Sequence, residues 1–333
     1  MTFLRNKTGR RLPRSGNRTC RELAVLLAET YRKDRKMKKF GKLDRIPSGR
    51  SKDIITEGCM VLEGGGWKGL YTLGVLDYLM QHDINLQSTV GISAGSLAGV
   101  GYVTGQIGWG ARVNLTYRHD KNYIGAGAVG KDHGVTGFTY LFHDILREYP
   151  VDKKRLYDDS KRFAVGTTNM LSGETEYFEK GQCRLTSVIR ASSTVPFVSR
   201  PVVMHSIPYL DGGCSTKIPY RWAADQGYEK IVVVKTREWD FVRSEEPMKS
   251  TKIWYHKYPN FMAALNNVNA DFNVMTKELK ELHEEKKVFV IAPSKPVTVT
   301  RFEADMGKLW DLYKLGYGDA RNNIGALKEY LGI

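Results

Sequence analysis

The chain has 333 residues, 41% hydrophobic and 26% charged, a composition that fits a folded globular protein and excludes low-complexity and collagen-like classes. No apolar run approaches the roughly 18 residues of a membrane span. Four scattered cysteines (Cys20, Cys59, Cys183, Cys214) form no CxxC pair, which argues against a disulfide framework or zinc site and fits a reducing compartment.

The net charge of +15 is concentrated at the start. Residues 1–53 hold 17 Lys+Arg against 5 Asp+Glu, leaving the other 280 close to neutral. Such a leader suits transient contact with anionic lipid headgroups. A solvated, partly disordered tail, or a native start at Met37, is the plainer reading. Aromatics do not interleave with the basic residues, so nucleic acid is not expected as a partner. The run Leu23–Ala28 is too short for a secretory signal and no clear cleavage site follows. The expected location is cytoplasmic, peripheral to the inner membrane surface at most.

Residues 21–33 read as a short amphipathic helix, and 34–53 as a charged stretch broken at Pro47-Ser48-Gly49. From Glu57 strand and helix signals alternate. A strand at 59–62 leads through glycines into a helix over Leu70–Gln81, whose Leu70, Leu73, Leu76 and Met80 fall near helical spacing. A strand near 88–92 feeds Ser93 and a second helix over 94–104. Residues 105–140 are glycine-rich and aperiodic, expected as an irregular surface loop, with a lid over the site as the alternative. A strand at 162–168 precedes a hairpin partner at 175–178. Ile231–Val234 is a continuous apolar run of the buried parallel type. Beyond Lys235, residues 251–285 read as helical, 287–293 as a strand and 302–331 as two helices. The pattern predicts an α/β layered fold.

Two motifs carry the chemistry. Gly91-Ile92-Ser93-Ala94-Gly95 places a serine on a strand-to-helix turn, with Gly91 and Gly95 clearing space around its hydroxyl. Gly64-Gly65-Gly66-Trp67-Lys68-Gly69 follows a strand and offers backbone N–H groups to the oxyanion that forms when an acyl carbonyl is attacked. The spacing Gly64-x-Gly66-x-x-Gly69, with Asp83 beyond it, also suits a dinucleotide-binding turn, though that leaves Ser93 and its glycines unexplained. None of the seven histidines has a motif-like setting; His256 and His283 qualify as a base only by chain order. Asp211, in Tyr209-Leu210-Asp211-Gly212-Gly213, follows a short apolar strand and precedes two glycines that allow close approach. A positioned carboxylate can take the serine proton directly.

The ordered set Gly-Gly-Gly-Trp-Lys-Gly, Gly-Ile-Ser-Ala-Gly and Asp-Gly-Gly, with Ala191–Pro196 and Arg200-Pro201-Val202 between, resembles the patatin-like phospholipase family over about residues 57–236. The whole is similar to a bacterial subgroup with a helical C-terminal extension. The resemblance implies a three-layer α/β fold with a mostly parallel central sheet flanked by helices. It divides the chain into a basic, partly disordered segment (1–56), a catalytic domain (57–236) and a mainly helical extension (237–333). It implies Ser93 as nucleophile, Asp211 as base without histidine, and an oxyanion hole within Gly64–Gly69 centred on Gly65 and Gly66. Lys68 is read as tuning electrostatics, not as a catalytic group. The implied substrate is a phospholipid or lysophospholipid, with no cofactor and no metal. A catalytically idle lipid-binding module is the remaining alternative.

Overall fold

The computed structural model describes residues 40–246 and 251–333. The helix expected at 21–33, together with Cys20, lies outside the described residues. Eight strands form the main sheet: β1 (Thr56–Leu62), β2 (Leu86–Ile92), β3 (Arg162–Asn169), β4 (Thr175–Glu179), β5 (Val202–Met204), β6 (Ile207–Asp211), β7 (Ile231–Val234) and β8 (Phe289–Ile291), in the order β8-β7-β1-β2-β3-β6-β5 with β4 also paired to β3. The run β8-β7-β1-β2-β3 is parallel, and β4, β5 and β6 add antiparallel pairs. All four residues of β7 are buried, as expected of a strand covered on both faces.

On one face, Cys59, Val61, Val233 and Val290 pack with Phe272, Met275 and Leu279 of the long helix α5 (Pro259–Glu284). Helix α1 (Gly69–Gln81) is buried from Gly69 to Met80, the signature of a helix enclosed on all sides. Helix α6 (Met306–Leu331) lies along it so closely that a Cβ on Gly316 would stand 2.1 Å from the Tyr71 carbonyl, and one on Gly74 equally near that of Tyr313. Two buried bonds pin the pair: the Tyr71 hydroxyl donates to Asp319 at 3.0 Å and the Tyr313 hydroxyl to Asp77 at 2.8 Å.

Three expectations change. Within 302–331 there is one 26-residue helix, Met306–Leu331, rather than two: Asp305 caps the start and Gly332, at φ +76°, ends it. About half of the stretch 105–140 is helical, with α3 (Trp109–Tyr117), the short α4 (Ala126–Asp132) and further helix from Phe138. Gly108, at φ +73°, opens α3 and donates its N–H to Asp77 at 2.7 Å. Residues 40–55 fold onto the body of the domain. Ile46 is buried, Arg112 donates to the Pro47 carbonyl at 2.8 Å, and the Asn85 amide donates to the carbonyls of Lys52 and Ile54 at 3.0 and 3.1 Å. Among the described residues no helix is long and apolar enough to cross a membrane.

Candidate active site

The turns that follow the parallel strands open into one cavity of about 450 Å³, at the carboxyl ends where open α/β sheets bind their ligands. Ser93 sits between β2 and helix α2 (Ala94–Val103) at φ 53°, ψ −121°, a conformation that costs a non-glycine residue about 1–3 kcal/mol. Its neighbours hold it there. The Ser93 N–H donates to Ser192 Oγ at 2.8 Å, and that hydroxyl donates to the Gly166 carbonyl at 2.6 Å. The Ser93 carbonyl accepts from the amides of Ser96 and Leu97 and from Ser96 Oγ. A Cβ on Gly91 would meet the Gly95 backbone at 2.7 Å, and one on Gly95 the Leu62 carbonyl at 2.4 Å, so both flanking glycines are required by close approach.

Asp211, at the end of β6, is brought to Ser93 across 118 positions of sequence. The Ser93 hydroxyl donates to Asp211 Oδ2 at 2.8 Å, and the Gly213 N–H donates to Oδ1 at 2.8 Å. The backbone of Asp211 is fixed by its N–H bond to the Thr194 carbonyl and by the Thr168 hydroxyl on its own carbonyl, both 2.9 Å. Burial pushes the carboxyl pKa above the ordinary range, opposed in part by Arg301, the Gly213 N–H, the Ser93 hydroxyl and Lys217.

The glycine turn is narrower as a donor set than its sequence implied. The N–H of Gly64 donates to the Lys217 carbonyl, that of Trp67 to the Arg301 carbonyl, those of Lys68 and Gly69 within the turn itself. Gly65 and Gly66 keep N–H groups without a partner among the described residues. Gly66 lies at φ +58°, where a side chain is strained. The turn sits against the serine: a Cβ on Gly64 would stand 3.2 Å from Ser93 Cβ.

Apolar side chains, among them Leu73, Val100, Val113, Phe138, Leu146 and Leu156, line much of the cavity. Lys68, Lys217, Arg243 and Arg301 line it as well. Burial lowers the Lys68 pKa to about 8, helped by Arg237, Arg301 and Arg243 and opposed by Glu63. Lys217 is lowered to about 8 by burial and by Arg243 and Arg301. Sequence reasoning missed Lys217, Arg243 and Arg301, which carry no motif. None of the seven histidines lines the cavity; the His283 ring stacks on Trp239 and its Nδ1 lies 3.3 Å from the Val288 carbonyl. Asp83, the acid of the dinucleotide alternative, pairs with Lys52 at 2.8 Å beyond the far end of α1.

Residues 60–224 match the family model of the patatin-like phospholipases. This segment is a patatin-like phospholipase domain. The patatin-like sequence is followed by a second match, at residues 258–332, to a domain of unknown function (DUF6363). The chain is 26% identical over 266 residues to the uncharacterized protein YjjU of Escherichia coli (strain K12), covering 77% of this chain and 74% of that one. A structural comparison pairs it with VipD from Legionella pneumophila at a TM-score of 0.44 and 15% identity, covering 90% of this chain and 73% of the other. The architecture is mixed α/β with a mostly parallel central sheet flanked by helices, and a helical region follows the patatin-like segment.

Proposed function

We propose that the protein is a lipid acyl hydrolase that cleaves fatty-acyl esters of phospholipids or lysophospholipids, with Ser93 as nucleophile and Asp211 as base. The observation that carries this reading is the 2.8 Å bond from the Ser93 hydroxyl to a buried Asp211 carboxylate, beside the amides of Gly65 and Gly66, which have no partner among the described residues.

Ser93 Oγ attacks the ester carbonyl carbon as Asp211 Oδ2 takes its proton. The carbonyl oxygen becomes an anion that the N–H groups of Gly65 and Gly66 receive, each such donor being worth about 3–4 kcal/mol. The tetrahedral species collapses, the proton passes from Asp211 to the departing alkoxide, and an acyl-Ser93 remains. Water then loses a proton to Asp211 and attacks the acyl carbon; collapse releases the fatty acid and returns the proton to Ser93 Oγ. The Gly213 N–H on Oδ1 keeps Oδ2 turned to the serine. The apolar part of the cavity suits the acyl chain. The basic leader suits an anionic membrane surface as the place where substrate is met, in keeping with a cytoplasmic protein.

Intact-mass measurement after treatment with a fluorophosphonate tests the assignment. One adduct on the wild type, none on Ser93→Ala, is the expected outcome. An adduct that persists in Ser93→Ala would place the nucleophile elsewhere.

A further inference from the structure

We propose that Lys68, Lys217, Arg243 and Arg301 form a subsite for the phosphate of a glycerophospholipid, and that the C-terminal region 258–332 exists in part to build it. This rests on the acyl-hydrolase reading and narrows its substrate to esters that carry a phosphate.

Three observations lead there. The first is placement. All four cations line the cavity that also holds Ser93 and Asp211. Lys68 follows β1, Arg243 follows β7 and Arg301 follows β8, strands that lie side by side in the order β8-β7-β1. Ser93 follows β2, next in the row, and the apolar wall is drawn largely from the chain between β2 and β3. For Lys68, Arg243 and Arg301 the sheet order thus sets a cationic end beside the nucleophile and an apolar wall beyond it, which is the polarity of a phospholipid; Lys217, which follows β6, is tied to that end by its carbonyl, which receives the Gly64 N–H at 3.2 Å.

The second is an unanswered charge. Neither the Lys68 ammonium nor the Arg301 guanidinium has a hydrogen bond or ion pair among the described residues. Arg243 lies 4.3 Å over the Phe272 ring, its buried Nε has no hydrogen-bond partner among the described residues, and its ion pair with Glu63 is long, at 4.0 Å. Glu63 in turn spends one oxygen on the Thr236 N–H at 2.6 Å, and Asp211 faces Ser93. Within this group the cations repel one another: Lys68, Lys217 and Arg243 each feel Arg301 as a like charge. An anion entering the cavity relieves that repulsion, and arginine forks suit phosphate oxygens.

The third is construction. The Arg301 carbonyl receives the Trp67 N–H at 3.4 Å, and the carbonyls of Phe302 and Glu303 receive the Arg118 guanidinium, which lies 4.7 Å over the Trp67 ring. Arg243 is held by α5, whose Asn273 accepts from the Arg243 N–H at 2.8 Å and donates to its carbonyl at 3.0 Å; Asn269 donates to the Ser244 carbonyl at 2.9 Å. The C-terminal region therefore supplies one guanidinium and fixes the backbone that bears a second.

The test compares fatty-acid release from dioleoyl phosphatidylglycerol and from dioleoylglycerol, with identical chains in identical detergent micelles. The wild type should favour the phosphate-bearing ester by roughly tenfold or more in kcat/KM, the scale of a charge-assisted contact. Arg301→Gln and Arg243→Gln should each cut that ratio by roughly tenfold, and Arg301→Lys should restore part of it. Arg301 binds Trp67 through its carbonyl, so its side chain is replaceable without loss of that bond; melting temperatures verify folding of both variants. Inorganic phosphate should compete with phosphatidylglycerol while sparing dioleoylglycerol. Inhibition of both esters alike would mark a free-anion site and overturn the headgroup assignment. Equal use of the two esters by an active wild type, or an unmoved ratio in both folded variants, overturns the subsite and leaves the hydrolase intact. No release from either ester, with no fluorophosphonate adduct, overturns the hydrolase reading and this one with it.

Discussion

Replacing Asp211 with asparagine separates proton transfer from packing. The volume is nearly unchanged, and the Gly213 N–H still needs an acceptor, so the amide oxygen takes the place of Oδ1. That leaves the amide nitrogen 2.8 Å from Ser93 Oγ, a donor where an acceptor stood. The opposite flip sets the nitrogen against the Gly213 N–H and strands a buried donor, at about 1–3 kcal/mol. In the favoured orientation the serine has no base. Loss of general-base catalysis here should lower kcat by about 10³–10⁴, or about 4–5.5 kcal/mol in the barrier. Stability should move the other way. The folded-state pKa of Asp211 is raised by burial, so its contribution to stability is full below the unfolded pKa and is lost as pH rises through the folded value. Above that window the variant should melt at or above the wild-type temperature. The assay is ester hydrolysis alongside thermal melting at neutral pH. Activity within tenfold of wild type, in a variant folded by this criterion, would refute the role of Asp211 as base.

Ser192→Ala removes the acceptor of the buried Ser93 N–H, which should cost about 1–3 kcal/mol and slow fluorophosphonate labelling; unchanged melting and labelling would show that the bridge to Gly166 does not hold the turn. Gly316→Ala sets a methyl group 2.1 Å from the Tyr71 carbonyl and should destabilise by about 1–3 kcal/mol or more, read by denaturant unfolding; wild-type stability would contradict the close α1–α6 contact. Lys68 and Lys217, lowered to about 8, should lose their charge as pH rises through that value. A pH–rate profile should then fall on its alkaline side more steeply for a phosphate-bearing ester than for a neutral one, and superimposable limbs would count against it. The same lysines weigh on folding below about 8 and cease to do so above the unfolded value of 10.5, so their contribution to stability rises with pH between the two.

Much of the fold is legible where a residue's fate is decided locally. The apolar runs at 59–62 and 231–234 are strands, and Thr175–Phe178 pairs antiparallel with the strand before it. Ser93 and Asp211 stand out because their turns need glycines that sequence displays. What escapes notice depends on contacts between distant segments. Residues 302–331 read as two helices because nothing local shows that the chain stays helical along α1, where Gly316 packs against the Tyr71 carbonyl. The helices within 105–140 are short and glycine-rich, and the start of α3 is secured by Asp77 from another helix. Lys217, Arg243 and Arg301 are unremarkable loop residues until the fold gathers them beside Lys68.

The central claim is that acyl transfer runs through Ser93, and rapid-quench mass spectrometry with a slowly deacylating p-nitrophenyl ester tests it most directly. The account predicts a transient mass increase equal to the acyl group, mapped to the peptide containing Ser93, formed at the rate of nitrophenolate release. It should be absent in Ser93→Ala and delayed by orders of magnitude in Asp211→Asn. Turnover by the wild type with no acyl-enzyme at any time, or with the acyl group on another residue, would contradict it.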